Sequence, residues 1–296
     1  MKIENWLKLN TISLIGKTVA ITGSTGGIGK PLCAYIASLG ANLILLDRNQ
    51  EKSTLHKQEL LNKFANISVK CILFDAEDVF SVKQACQILI NEQIDFLILN
   101  AGAYKIPRKK SVLNLENVYQ INFVSPYYLT KQLLPILQKN SGRVIAVSSI
   151  AHNYSKADFS DIDFSKKTSC EKIYGNSKRY LTFSLFELFK NETKASLAIA
   201  HPGISFTNIT AHYPKLIFAL IKHPMKIIFP APKKACLSLL LGLFCKTETN
   251  FWIGPKLFNI WGLPKNKRLN TAKHEEAQKI FTIAEKIYLD MDKKTP

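Results

Sequence analysis

The 296-residue sequence predicts an α/β fold: a doubly wound parallel sheet of about seven strands with helices on both faces. Three observations carry this expectation. Short apolar runs at 18–22, 42–46, 67–73, 95–99, 143–148 and 195–200 read as buried strands. Helical patterns fall between them, and strands that alternate with helices build a parallel sheet. Residues suited to binding and catalysis recur directly after these runs, at the strand ends where such sheets take their ligands.

The first strand, Lys17 to Thr22, leads into Gly23-Ser24-Thr25-Gly26-Gly27-Ile28-Gly29 and then into a helix-like stretch from Lys30 to Leu39. Glycines 23, 27 and 29 allow a tight turn and a close backbone approach to a pyrophosphate, and the helix start offers N–H groups and a positive dipole end. Asp47 closes the next strand about 20 residues on, as a dinucleotide fingerprint requires. Asp75 follows the third strand, Asn100-Ala101-Gly102 the fourth, Ser148-Ser149 the fifth and Pro202-Gly203 the sixth. Phe251-Trp252-Ile253 is a candidate seventh strand, and residues 272–291 read as a C-terminal helix.

Tyr174-Gly175-Asn176-Ser177-Lys178 places a phenol and an ammonium four residues apart, on one face of a helix. A nearby ammonium favours the phenolate, so the spacing predicts a lowered tyrosine pKa and a group able to exchange a proton with an alcohol or carbonyl oxygen. Tyr127 and Lys131 share that spacing but sit behind Pro126 in an apolar stretch, which reads as packing.

Taken together, Thr22-Gly23-x-x-x-Gly27-x-Gly29, Asn100-Ala101-Gly102, Asn122, Ser149, Tyr174-x-x-x-Lys178 and Pro202-Gly203 resemble the short-chain dehydrogenase/reductase family, in the family's order and over residues 17 to about 207. Val147-Ser148-Ser149-Ile150-Ala151-His152, the 25-residue step from Ser149 to Tyr174 and Asp161-Ile162-Asp163-Phe164 are similar to its retinol-dehydrogenase-like members. The resemblance implies a Rossmann-type domain and an NAD(P)-dependent oxidoreductase that interconverts an alcohol and a ketone or aldehyde, on a lipophilic substrate. It implies Tyr174 as acid/base, Lys178 as its modulator and ribose ligand, Ser149 as the holder of the substrate oxygen, and Asn122 beside a proton-relay water. The dinucleotide would be bound by Gly23, Ser24, Thr25, Gly27, Ile28, Gly29, Asp47, Arg48, Asp75, Ala76, Asn100, Ala101, Gly102, Tyr174, Lys178, Pro202, Gly203 and Thr207. Asp47 favours NAD by binding ribose hydroxyls, while Arg48 favours NADP by pairing with a 2′-phosphate. Gly26 offers no second basic anchor, which tips the expectation towards NAD. A reductase of carrier-bound acyl groups and a non-catalytic dinucleotide sensor or scaffold are the alternatives.

Composition bounds the rest. One domain is expected over residues 1–296, with a substrate lid near 205–235 and a C-terminal helical extension over 270–296. The apolar, lysine-punctuated stretch from His212 to Pro232 suits a pocket lid, a helix in a membrane interface or plain packing on the core. The charge of +18 is uneven: residues 1–100 hold 10 Lys/Arg against 9 Asp/Glu, residues 101–214 hold 15 against 7, and residues 215–296 hold 15 against 6. That excess suits a solvated surface or peripheral contact with anionic membrane. No nucleic-acid motif accompanies it. Six scattered cysteines without Cys-x-x-Cys spacing fit reduced thiols and argue against a metal site. With neither a secretory pattern nor an apolar run of about 20 residues, the expected setting is cytoplasmic, with membrane-peripheral contact, and family members often form homo-oligomers.

Overall fold

The computed structural model describes residues 2–153, 156–166, 169–203, 230–246, 248, 250–269 and 274–294. Strands β1 (Thr18–Thr22), β2 (Asn42–Asp47), β3 (Val69–Leu73), β4 (Phe96–Leu99), β5 (Arg143–Val147), β6 (Ser196–Ala200), β7 (Phe251–Leu257) and β8 (Trp261–Arg268) form one sheet. Their order is β3-β2-β1-β4-β5-β6-β7-β8. Every neighbouring pair is parallel except the β7–β8 hairpin.

The sheet therefore has eight strands, where the sequence predicts about seven. The eighth reads Trp-Gly-Leu-Pro-Lys-Asn-Lys-Arg, with neither an apolar run nor clean alternation. It stands at the sheet's edge, where Pro264 costs no ladder bond to a further strand and lysines discourage another chain from pairing.

Side chains alternate between two cores. Val19, Ile21, Leu43 and Leu45 face one side, while Ala20, Ile44 and Leu46 face the other. Helix α1 (Ile3–Asn10), which the scattered charges at the start of the chain concealed, covers the first side with Trp6, 3% exposed. It is joined there by α2 (Gly29–Ser38) and by the helix Leu237–Phe244. On the second side lie α4 (Val79–Leu89), α6 (Ser125–Lys139), α7 (Cys170–Leu188) and the C-terminal helix His274–Asp292. Helix α3 (Gln50–Lys63) follows β2 and is capped by the Asn49 side chain. Among the described residues, no helix is long and apolar enough to cross a membrane.

The C-terminal helix does two separate jobs. Its Glu285 accepts hydrogen bonds from Tyr127 Oη and from Lys131 Nζ (2.9 Å), so the second Tyr-x-x-x-Lys pair is a packing contact, as its apolar surroundings suggest. Its Glu276 accepts from Arg179 Nε (2.6 Å) and Nη2 and also from the Ala157 N–H (3.1 Å). Arg179 belongs to α7 and donates from Nη1 to the His152 carbonyl at 2.8 Å. The two side chains are 6% and 16% exposed, so removing one leaves its partner's charge stranded in the interior. Glu276→Ala should cost about 3–5 kcal/mol in urea unfolding, and far less when combined with Arg179→Met.

Candidate active site

Between β1 and β4 the chain order reverses, and the loops leaving these strands separate to form a crevice. Side chains brace this opening. Thr22 Oγ1 accepts from the N–H groups of Asn100 (3.0 Å) and Ala101 (2.9 Å). Asn100 Nδ2 donates to the carbonyls of Thr22 (3.0 Å) and Gly23 (2.9 Å). Gly23 has φ +68°, and a Cβ there would stand 3.1 Å from Ala101 Cα. A Cβ on Gly29 would come within 2.2 Å of the Gly23 carbonyl, so only glycine lets α2 begin this close to the loop. No side chain caps the α2 N-terminus. A strand, a glycine turn and an uncapped helix start fit a dinucleotide pyrophosphate.

Asp47 is not arranged as the sequence suggests. It is 3% exposed, and both carboxylate oxygens already serve the glycine loop and α3. Oδ2 accepts from Ser24 Oγ (2.5 Å) and Ser53 Oγ (2.9 Å); Oδ1 accepts from the Thr25 N–H (3.2 Å) and Thr25 Oγ1 (3.3 Å). Arg48, one residue on, is exposed. Asp75 and Ala76 follow β3; the Asp75 N–H donates to Ser81 Oγ (2.9 Å), and the Ala76 carbonyl accepts from Ser125 Oγ (2.7 Å).

The other half of the crevice is built by β5 and α7. Ser148 is buried and bonded to Thr182 Oγ1 at 2.8 Å, so it is structural, whereas Ser149 is half-buried and accepts the Ala151 N–H (3.2 Å). Helix α7 is capped by Ser169 and places Tyr174 and Lys178 one turn apart. The Lys178 Nζ lies 6.0 Å from the centre of the Tyr174 ring and donates to the Val147 carbonyl at 2.8 Å. Lys178 is 3% exposed. A Cβ on Gly102 would stand 3.6 Å from that Nζ and 3.0 Å from Asn122 Oδ1, so the motif after the fourth strand, the lysine and the asparagine converge.

Asn122 is fully buried in a π-helical turn (Gln120–Val124) between α5 (Asn117–Tyr119) and α6. Its Oδ1 accepts the Ala103 N–H (2.8 Å), and its Nδ2 donates to the Ala103 carbonyl (2.9 Å) and Ser177 Oγ (3.1 Å). Periodicity alone predicts a regular helix here. The extra residue of a π turn, often found at functional sites, is invisible to a 3.6-residue pattern.

Burial decides the ionisation of the pair. Removal from water raises the Tyr174 phenol above a tyrosine's usual value, the neighbouring Ser149 hydroxyl lowers it, and Tyr104 raises it again. Burial also pushes the Lys178 amine down to about 8. The expected lowering of the tyrosine by its lysine is thus overridden by desolvation: the amine is turned towards Val147 and its own charge is disfavoured. Sequence reasoning missed Tyr104, whose ring centre lies 5.0 Å from that of Tyr174. Its Oη donates to Glu171 (3.2 Å), which also pairs with Lys105 (2.9 Å). The available signal was its place, two residues after Gly102.

Beneath Ser149 and Gly203, Trp252 is stacked on His201 (centres 4.2 Å apart) and meets His152 edge-on (5.2 Å). His152 Nδ1 donates to the Ser149 carbonyl at 2.5 Å, and His201 Nδ1 accepts the Gly203 N–H at 3.2 Å. Gly203 follows Pro202 with φ +78°. Thr207, and the part of the expected lid from 205 to 229, lie outside the described residues. Burial lowers His152 from the usual 6.5 to about 4 and His201 to about 3. An unfolded chain binds these protons below about 6.5 and the fold does not, so their contribution is intact above that pH and is lost as pH falls towards 4 and 3. The urea midpoint should therefore decline steadily between pH 6.5 and 4.

Comparisons with known proteins agree with this geometry. The profile described as short chain dehydrogenase matches residues 17–170, more than half of the chain. Human retinol dehydrogenase 13 is 29% identical over 203 residues, 67% of this chain and 61% of that protein. Mouse retinol dehydrogenase 14 is 29% identical over 214 residues, 67% of this chain and 64% of the relative. The chain thus spans somewhat under two thirds of the length of these relatives. An uncharacterized protein from Mycobacterium Paratuberculosis shares the fold with a TM-score of 0.73 at 23% identity, over 97% of both chains. An NADPH-dependent 3-quinuclidinone reductase from Rhodotorula Rubra aligns with a TM-score of 0.60 at 22% identity, over 78% of this chain and 86% of that one. The chain belongs to the short-chain dehydrogenase family, on its retinol-dehydrogenase-like side.

Proposed function

We propose that the protein is an NAD(P)-dependent oxidoreductase that interconverts an alcohol and a ketone or aldehyde. The observation that supports it most is the convergence of Ser149, Tyr174 and Lys178 with the Gly102–Asn122 contact, at the strand ends that also carry the glycine cradle. When bound, the dinucleotide supplies or accepts the hydride. The cradle from Gly23 to Gly29 would hold its pyrophosphate, and Tyr174, Lys178, Pro202 and Gly203 would border its nicotinamide end.

Within this reading Tyr174 gives a proton to the carbonyl oxygen during reduction or takes one from the alcohol during oxidation. Ser149 holds that oxygen by a hydrogen bond. Lys178 stabilises the phenolate that forms, and Asn122 keeps the Ala103 loop and α7 in register around it. Burial keeps the phenol protonated at neutral pH, so reduction is favoured there and oxidation gains as pH rises.

For the cofactor, the reading favours NADP(H) over the NAD that Asp47 suggests. Asp47 has both oxygens committed to Ser24, Thr25 and Ser53. Arg48 is exposed just past β2 and makes no ion pair with an acidic side chain among the described residues, which leaves a guanidinium for a 2′-phosphate. A lipophilic substrate is supported by the likeness to the retinol dehydrogenases and by the aromatic wall that Tyr104 adds beside Tyr174.

Oxidation of NADPH and NADH with medium- and long-chain aldehydes and ketones tests the proposal. Tyr174→Phe should lower turnover roughly 100- to 10,000-fold while dinucleotide binding, read by fluorescence, persists. Unchanged turnover in that variant would remove Tyr174 from the mechanism. Bound dinucleotide with no turnover in the wild type would favour a sensor. In a separate comparison, Arg48→Ala should raise KM for NADPH roughly 10- to 100-fold and leave KM for NADH nearly unchanged.

A further inference from the structure

The β7–β8 hairpin ends in an apolar, outward-facing tip that the proposed chemistry does not use. Leu257 is 53% exposed, Phe258 85% and Trp261 39%. A phenylalanine so exposed gains nothing from packing. Its backbone is also unfavourable: Phe258 has φ +50° and Asn259 φ +58°, a region that bulky side chains rarely adopt. The strained turn is nevertheless held firmly. Lys267 Nζ donates to the carbonyls of Pro255 (2.6 Å) and Lys256 (3.2 Å) and to Asn259 Oδ1 (2.8 Å). Such strain persists only where the surroundings enforce it, and it concentrates at functional sites.

The charges of the hairpin are of one sign. Residues 250–269 contain Lys256, Lys265, Lys267 and Arg268 and neither Asp nor Glu. Lys256, next to the tip, and Lys265, opposite Gly254 on the returning strand, are exposed, whereas Arg268 stands opposite Phe251 at the base of the hairpin. Aromatic and aliphatic side chains at a projecting tip, flanked by exposed lysines on both strands of a hairpin without an acidic residue, match the boundary between acyl chains and anionic headgroups. Neither signal is sufficient alone, and stable attachment takes both.

The hairpin's position gives this surface a purpose. Strand β7 runs parallel to β6, with Ala200 opposite Ile253, so the tip lies at the same end of the sheet as Ser149 and the crevice. The turn packs on Gly203, where a Cβ would stand 3.0 Å from the Ile260 carbonyl and 3.0 Å from Pro255 Cγ. A membrane touching Phe258 would therefore lie beside the mouth of the site.

We propose that the tip of the β7–β8 hairpin docks the protein on an anionic phospholipid bilayer, with Leu257, Phe258 and Trp261 entering the interface and Lys256 and Lys265 facing the headgroups. The surface is separate from the catalytic residues, and its test needs no substrate. The full chain is sedimented with vesicles of phosphatidylcholine alone or mixed with phosphatidylserine. Binding should require phosphatidylserine and should weaken as salt is raised. Phe258→Asn should weaken it at least about tenfold. Asparagine accepts the left-handed backbone, so this variant should melt no lower than the wild type. Lys256→Gln and Lys265→Gln should each weaken binding about fivefold. Equal sedimentation with both vesicles, no sedimentation with either, or wild-type binding by Phe258→Asn would overturn the proposal. So would a dimer that Phe258→Asn dissociates, since the occupant would then be a second copy of the chain.

Discussion

A lysine amine removed from water is the constraint around which the site is organised. Lys178 is almost wholly buried, and the Val147 carbonyl at the end of β5 receives its hydrogen bond. A charge in that position is costly unless nearby groups satisfy it, so its pKa falls and its surroundings must be exact in placement. Helix α7 fixes the amine from one side, β5 receives it from another, and Gly102 yields the space on the third. Gly102 can do so because Asn122 grips the following residue, Ala103, by both its N–H and its carbonyl. Shifting any one of these elements would move the amine away from Tyr174.

The support extends well beyond the residues that would touch a substrate. Glu276 on the C-terminal helix grips Arg179, Arg179 holds the His152 carbonyl, and His152 in turn donates to the Ser149 carbonyl. Ser149 is thus tied, through His152 and Arg179, to a helix more than a hundred positions away. On the other side, His201 orients the Gly203 N–H while Trp252 fills the space between the two histidines. Both imidazoles remain neutral because this space is dry, and their hydrogen bonds are directional in consequence.

Much of this was legible in the sequence, and the reason is local. Each parallel strand is a short apolar run whose C-terminal end carries a recognisable group, so β1 to β7, the glycine loop, Asn100, Ser149, Tyr174 and Lys178 could all be placed by reading along the chain. The features that were not legible depend on contacts between distant segments. Strand β8 has a composition suited to an edge, which resembles that of a loop. The Arg179–Glu276 pair joins residues 97 apart. The elevated Tyr174 phenol reflects how deeply the completed fold desolvates it, a quantity that spacing on a helix does not contain. Asp47 is a case in between: its position at the end of β2 was predictable, but its capture by Ser24 and Ser53 required the loop and α3 to be folded over it.

The π turn at Gln120–Val124 has a consequence for how the chain can vary. A turn with one residue too many is a stored insertion, and at 3.6 residues per turn each residue rotates the helix by about 100°. Within it, Asn122 has to face Ala103 and Ser177; downstream, Tyr127 and Lys131 have to face Glu285. A regular α-helix could not meet both demands at this length. The extra residue acts as a phase adjuster between the crevice and the C-terminal helix, so a single-residue deletion within it would set one end of the helix against the other.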